Sequence, residues 1–364
     1  MKTLPAKYYT DSVVLQAEIE RFFHGMWLCV GNVENIPSAG AYFVFNWLKE
    51  SFLVVKGQDS TIRAFYNVCR HRGTRLCEDE RGAFQNRIQC PYHAWGYGLD
   101  GRLVSAPHMV DTPGFNLEHF PLKQVACDQW GGRVFIHIEP SPRPLAEQLG
   151  PLIERFKAWN LEELRIGHSK SYTIRANWKL IIQNYSECLH CPFIHPALQK
   201  LSHYLSGDNE PARSNYLGGT MSLHDSVDTL TWGGKSQRAP LPGLDDEQKR
   251  LVYYYWVSPN LLLTLASDYV MTHRLYPLSP DTTSLICEWF FHPSELAKPD
   301  FDASDAVQLW ELTNSEDWRV CELSQQGLSS KGYEPGPYSS REQLLHEFDK
   351  IIAGEGLEPP TKGL

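Results

Sequence analysis

The stretches NVCRHRGTRLC (67–77) and IQCPYHAWGYGLDGRL (88–103) hold two tight pairs of metal-type ligands. The first pair is Cys69-x-His71 and the second is Cys90-x-x-His93, with eighteen residues between them. Each pair closes a strand-like run, so two loops can point four side chains into one pocket. A set of two cysteines and two histidines holds tetrahedral zinc. It also holds a two-iron, two-sulfur cluster, with thiolates on one iron and imidazoles on the other. Neutral imidazoles reduce the negative charge there and raise the potential to about −150 to +300 mV. Zinc fingers usually pair Cys with Cys and His with His. Here each loop supplies one of each, which suits two differently ligated irons.

Around these loops the chain is β-rich. YFVF (42–45), FLVVK (52–56), TIRAFYNV (61–68) and RVFIHI (133–138) are short runs punctuated by Gly, Pro, Asn and Asp, the pattern of a small all-β domain. EPSPRP (139–144) carries three prolines in six residues and marks a boundary. Before the β domain, residues 11–24 read as an amphipathic helix. After it, helix-like segments at 144–157, 178–190, 303–326 and 340–353 enclose strand-like segments. The latter are SYTIRA (171–176), LVYYYWVS (251–258), NLLLTLA (260–266), YVMTHRLYPL (269–278) and TSLICEWFFH (283–292). Helices around a run of strands indicate an α+β domain with an antiparallel sheet.

NWKLIIQNYSECLHCPFIHP (177–196) contains a second constellation. Its periodicity predicts a helix from Trp178 to Leu189. Glu187 and His190, three apart, then share a face. Pro192 should end or bend that helix and free His195 to swing toward His190. Two histidines and one carboxylate form the facial triad of non-heme iron(II) sites, with the remaining positions open.

The two ligand loops resemble those of Rieske non-heme iron oxygenases. The likeness runs from LPAKYY (4–9) to PGPYSSRE (335–342). It implies an α+β fold: a helical segment at 1–39 packing with the catalytic domain, a Rieske [2Fe-2S] domain at 40–140, and a catalytic iron domain of helix-grip type at 145–364. Cys69, His71, Cys90 and His93 are then the cluster ligands. LWELTNSEDWRVCELSQQG (309–327) resembles the family's late helix, and its Asp317 matches the carboxylate ligand that joins His190 and His195 at the mononuclear iron. Glu316 adjoins Asp317, and Glu311 and Glu322 are near it. The resemblance also puts Asn184 and Glu187 in the catalytic machinery. Glu187 takes the position that bridges the two metal sites, in contact with His190 and, across a head-to-tail trimer interface, with His93.

The resemblance further implies an oxygenase component that uses O2 and takes electrons from a separate flavin/iron–sulfur, NAD(P)H-dependent reductase. The chain has no G-x-G-x-x-G after a strand, so it should not bind the nicotinamide itself. Glu rather than Asp at 187 makes the sequence more similar to the carnitine and glycine betaine branch. That favours hydroxylation or N-demethylation of a quaternary ammonium compound. Tyr253, Tyr254, Tyr255, Trp256 and Trp232 could contribute to a cation cage. The alternative is an aromatic-ring hydroxylating mono- or dioxygenase; more remote readings are a pure electron carrier or a zinc-bound module. A homotrimer is expected, with or without a beta subunit.

Composition agrees with these readings. The 364 residues are 42% hydrophobic and 21% charged, with a net charge of −9, which argues against nucleic acid as partner. Nine cysteines at irregular spacing do not form a disulfide framework. Cys188 and Cys191 flank His190 but fit no ligand role. No secretory signal opens the chain and no run is long enough to span a bilayer, so a reduced, cytoplasmic protein is expected.

Overall fold

The computed structural model describes residues 2–213 and 215–354. The chain divides into two units, one of Trp27–Glu147 and one of Met1–Met26 with Gln148–Leu364. Residues 355–364, at the end of the expected catalytic domain, lie outside the described residues.

The first unit is built from ten strands: β1 (Leu28–Asn32), β2 (Ala41–Trp47), β3 (Glu50–Lys56), β4 (Ile62–Tyr66), β5 (Arg81–Ala83), β6 (Arg87–Gln89), β7 (Gly96–Gly98), β8 (Leu103–Ser105), β9 (Gln124–Trp130) and β10 (Arg133–His137). Seven make one sheet in the order β1-β10-β9-β4-β3-β2-β5, and β6-β7-β8 make a second. The paired strands are antiparallel, as expected for short runs joined by Gly/Asn/Asp turns. β1 pairs with β10, which places residues 28–32 in this unit rather than with the N-terminal helical segment. A core of Tyr42, Leu53, Val55, Phe65, Trp95, Tyr97 and Leu103 fills the space behind the ligand loops.

The second unit carries β11 (Arg165–Ile174), β12 (Asp208–Asn209), β13 (Tyr216–Ser222), β14 (Leu251–Val257), β15 (Leu261–Leu265), β16 (Val270–Ser279) and β17 (Thr282–Phe291). They form one antiparallel sheet, β11-β17-β16-β15-β14-β13-β12. Its helices include α1 (Ser12–Glu18), α2 (Trp178–Tyr185), α3 (Cys191–Ile194), α4 (Ser304–Leu328) and α5 (Gln343–Ala353). Asp11 caps α1 by accepting from Val13 N. The chain continues from α1 as a wider π-type segment to His24.

Two expectations about helices are corrected. The segment at 144–157 is two short helices, Leu145–Leu149 and Leu152–Arg155, separated at Gly150-Pro151. The helix expected to reach Leu189 stops at Tyr185. Residues 186–190 are a turn, and Pro192 stands at the start of α3 rather than at the end of α2. A proline fits the first turn of a helix because the N–H it lacks has no intrahelical partner there.

Candidate metal centres

In the β-rich unit, the two ligand loops are built alike. Cys69 N–H donates to Thr74 O and Cys90 N–H donates to Trp95 O, both at 2.8 Å. Gly73 N–H returns to Cys69 O and Ala94 N–H to Cys90 O. Gly73 and Ala94 hold φ of +77° and +54°, a left-handed turn that glycine enters without strain. Both sulfur-bearing residues are buried, and the two histidine rings lie 4.6 Å apart between centroids. Trp95 stacks on His71 at 4.7 Å. The loops therefore bring Cys69, His71, Cys90 and His93 together. His71 Nδ1 is buried with no partner among the described residues, which suits a nitrogen aimed at a metal.

Two further residues secure this site. Asn67 is fully buried; its Oδ1 accepts from Leu76 N and Cys77 N, and its Nδ2 donates to Cys77 O and Ser51 Oγ. Tyr97 hydroxyl accepts from Arg70 N at 3.0 Å and lies 3.2 Å from Cys69 Sγ. Burial raises the Cys69 pKa, with a counter-effect from the Tyr97 hydroxyl. Tyr97 stands in the second ligand stretch, but only folding shows which cysteine it meets.

In the second unit, His190, His195 and Asp317 converge from the turn after α2, the end of α3 and the middle of α4. His190 Nε2 and His195 Nε2 are 3.2 Å apart; Asp317 Oδ1 is 2.8 Å from His195 Nε2 and 3.4 Å from His190 Nε2. Three donors sharing one ion at about 2.1 Å, at right angles, would sit about 3 Å from each other. The donor set and its spacing thus fit a facially bound metal.

Each ring is held by a second carboxylate. Glu187 Oε1 meets His190 Nδ1 at 2.5 Å, and its Oε2 accepts from Leu189 N. Glu316 Oε2 meets His195 Nδ1 at 2.7 Å. Glu187 and His190 therefore pair through a turn, not along a helical face. Burial disfavours the His190 imidazolium, but its hydrogen bonds to the carboxylates of Asp317 and Glu187 outweigh that and lift the pKa to about 9. His195 is raised by the same balance of burial against Asp317 and Glu316. Burial works against ionised Asp317, and the two histidines overcome that and lower its pKa.

A cavity of about 300 Å³ opens on this triad. Asn184 and Glu187 line it, as do Tyr185, Tyr254, Trp256 and Trp310. Of the residues expected in a cation cage, Tyr254 and Trp256 line the cavity and Tyr253 and Tyr255 do not. Successive side chains of β14 alternate in direction, and these two face Phe156, at 6.2 and 4.9 Å between centroids. Trp232 is exposed and outside the lining.

Comparison with known proteins follows this division of the chain. Residues 26–121 match the Rieske [2Fe-2S] domain, and residues 161–354 match the ring hydroxylating alpha subunit (catalytic domain). The chain belongs to the Rieske oxygenase alpha-subunit family. This oxygenase is 31% identical to the glycine betaine monooxygenase oxygenase subunit of Chromohalobacter salexigens, over 93% of its own length and 82% of that protein. It is 30% identical to the carnitine monooxygenase oxygenase subunit of Escherichia coli, over 91% and 85%. The structure of the quaternary ammonium Rieske monooxygenase CntA with L-carnitine superposes with a TM-score of 0.80 at 25% identity, covering 96% of this chain and 94% of that one. Naphthalene 1,2-dioxygenase from Rhodococcus shares the fold, with a TM-score of 0.77 at 18% identity and 97% and 95% coverage.

The oxygenase is accordingly an oxidoreductase of the α+β class expected. Its cofactors are a Rieske [2Fe-2S] cluster and a mononuclear iron; O2 is its co-substrate, and a separate reductase supplies its electrons. Among the described residues no helix is long and apolar enough to cross a membrane. Sequence reasoning did not assign Glu316, Asn67 or Tyr97 these contacts. For Glu316 the signal was its adjacency to Asp317.

Proposed function

We propose that the protein oxygenates a quaternary ammonium compound of the betaine type, by hydroxylation or N-demethylation. The observation that carries this is the cavity itself, where five aromatic side chains, Tyr204 among them, and the carboxylate of Glu187 line the space beside the histidines. Aromatic faces and a carboxylate attract a permanent cation that cannot donate hydrogen bonds. The relatives named for glycine betaine and carnitine support the same class.

In this reading Cys69, His71, Cys90 and His93 hold the cluster, and His190, His195 and Asp317 hold the iron. When bound, these groups supply one-electron transfer and the reduction of O2. The chain's own residues set the stage for that chemistry. Glu187 and Glu316 each accept a hydrogen bond from an Nδ1–H, which leaves both Nε2 lone pairs free to bind the iron beside Asp317. Tyr185, Tyr254, Trp256 and Trp310 shield the substrate from water and hold its cationic end. Asn184 adds a polar group to the lining.

We further propose a head-to-tail homotrimer in the cytoplasm, where reduced nicotinamide is available to the reductase. Glu187 then also contacts the partner subunit's His93. Exposed apolar side chains beside each site support a subunit contact: Tyr92, next to His93, is 58% exposed, and Phe193, between His190 and His195, is 85% exposed.

The test is a reconstituted reaction with a Rieske-oxygenase reductase on glycine betaine, carnitine, choline, benzoate and naphthalene. Hydroxylated or demethylated product, with formaldehyde, is expected from the ammonium compounds alone. Product only from the aromatic acids or hydrocarbons would replace this reading with ring hydroxylation. Glu187→Gln, with both metal sites loaded, should slow single-turnover electron transfer, and a wild-type rate would remove its bridging role.

A further inference from the structure

Cys188 and Cys191 are joined by a disulfide that spans His190, with their Cα atoms 5.0 Å apart. Both residues line the cavity, and Cys191 Sγ lies 3.9 Å from His190 Nε2. The other seven cysteines carry free thiols. The sulfur of Cys191 and a ring nitrogen each of His190 and His195 lie within 4.8 Å of one another. Asp317 Oδ1 stands on the same two imidazoles, 2.8 Å from His195 Nε2 and 3.4 Å from His190 Nε2.

The two states of this sulfur have different metal chemistry. Bonded to Cys188, it is a weak neutral donor, and the strong donors are two imidazoles and a carboxylate, a set suited to iron(II). As a thiolate it would complete a set of one sulfur, two imidazole nitrogens and one carboxylate oxygen, which suits tetrahedral zinc. In a reducing compartment a disulfide of this kind is more often a redox sensor than a structural tie.

We propose that Cys188 and Cys191 are a redox-modifiable pair that decides whether a thiolate joins the donors at His190, His195 and Asp317. The proposal rests on the reading of those three residues as metal ligands. The oxidant is a peroxide, the two-electron reduction product of O2. One sulfur attacks the peroxide, breaks its O–O bond and becomes a sulfenic acid, with release of water. The second sulfur displaces the hydroxyl group as another water and forms the S–S bond. The two sulfurs lose two electrons in all and the two peroxide oxygens gain them. A dithiol reverses the step by exchange.

The test uses the full chain with its cluster loaded. After hydrogen peroxide, denaturation and alkylation, mass spectrometry should find Cys188 linked to Cys191 and the seven remaining cysteines alkylated. After dithiothreitol, all nine should be alkylated. Free Cys188 and Cys191 after both treatments would overturn the proposal. Cobalt(II) added after removal of the mononuclear iron gives a second readout. Measured against Cys191→Ser, the reduced protein should gain a near-ultraviolet sulfur-to-cobalt band that peroxide abolishes. Cys188→Ser, in which Cys191 has no disulfide partner, should show that band without added reductant. Cobalt bound without the band in the reduced protein overturns the proposal and leaves the ligand reading standing. No cobalt binding in any state overturns both.

Discussion

Glu187 and Glu316 hold two imidazoles in one orientation, each by accepting from an Nδ1. Such outer carboxylates are worth about 10- to 100-fold in metal affinity. Glu316→Gln should therefore weaken iron binding by about that factor, read as iron retained against a chelator, while the cluster spectrum stays unchanged. Retention equal to wild type would show that His195 is oriented by packing alone. On the proposed cluster side, a hydrogen bond from the Tyr97 hydroxyl to Cys69 would stabilise the more negative, reduced cluster. Tyr97→Phe should lower the cluster's reduction potential in a spectroelectrochemical titration; an unchanged potential would remove that role.

At the scale of elements, α2, α5 and α1 are fastened through buried polar groups. Lys179 donates to Glu18 at 2.6 Å, as does Trp178 Nε1 at 2.9 Å. Gln183 Nε2 and the Tyr338 hydroxyl both donate to Asp349, at 2.6 and 2.8 Å. Burial lifts the Asp349 pKa from 3.8 to about 6, against those two hydrogen bonds. The folded state therefore binds the proton more tightly than the unfolded chain. Its contribution is fully present below the unfolded pKa and is lost as pH rises through the folded one. Asp349→Asn should flatten the stability profile between about pH 4 and 6 and recover about 3 kcal/mol at neutral pH, measured by denaturant unfolding. An unchanged slope in that window would show that Asp349 does not set it. In the other unit, Asn67 ties the loop after β4 with four hydrogen bonds. Asn67→Ala should cost about 2–4 kcal/mol by leaving buried backbone groups unpaired, with loss of cluster absorbance on mild heating.

For the whole molecule, metal analysis should give about three irons and two sulfides per chain, the sum of one two-iron cluster and one mononuclear site. Chelation of the mononuclear iron should abolish product formation and leave the visible cluster spectrum in place. The trimer is tested by Phe193→Asp. Light scattering should show three chains for the native protein and fewer for the variant, and three chains in both would exclude Phe193 from the contact.

The sequence by itself determined the candidate ligand residues, their order and most of the strands. Tight Cys/His spacing and period-two runs are local properties, written within a few residues. It also set Glu187 three residues before His190, although their contact forms in a turn where a helix was expected. Tertiary structure alone decided the rest, because those contacts join residues far apart in the chain. It chose Asp317 to face both histidines and turned its neighbour Glu316 to the far nitrogen of His195, 121 residues away. It sent Tyr254 and Trp256 to the cavity while Tyr253 and Tyr255 pack on Phe156. It also closed the bond between Cys188 and Cys191, which the spacing permits but does not require. Which face of a strand is lined by substrate, and which carboxylate reaches a metal, depends on where the chain folds back, and no window of sequence contains that information.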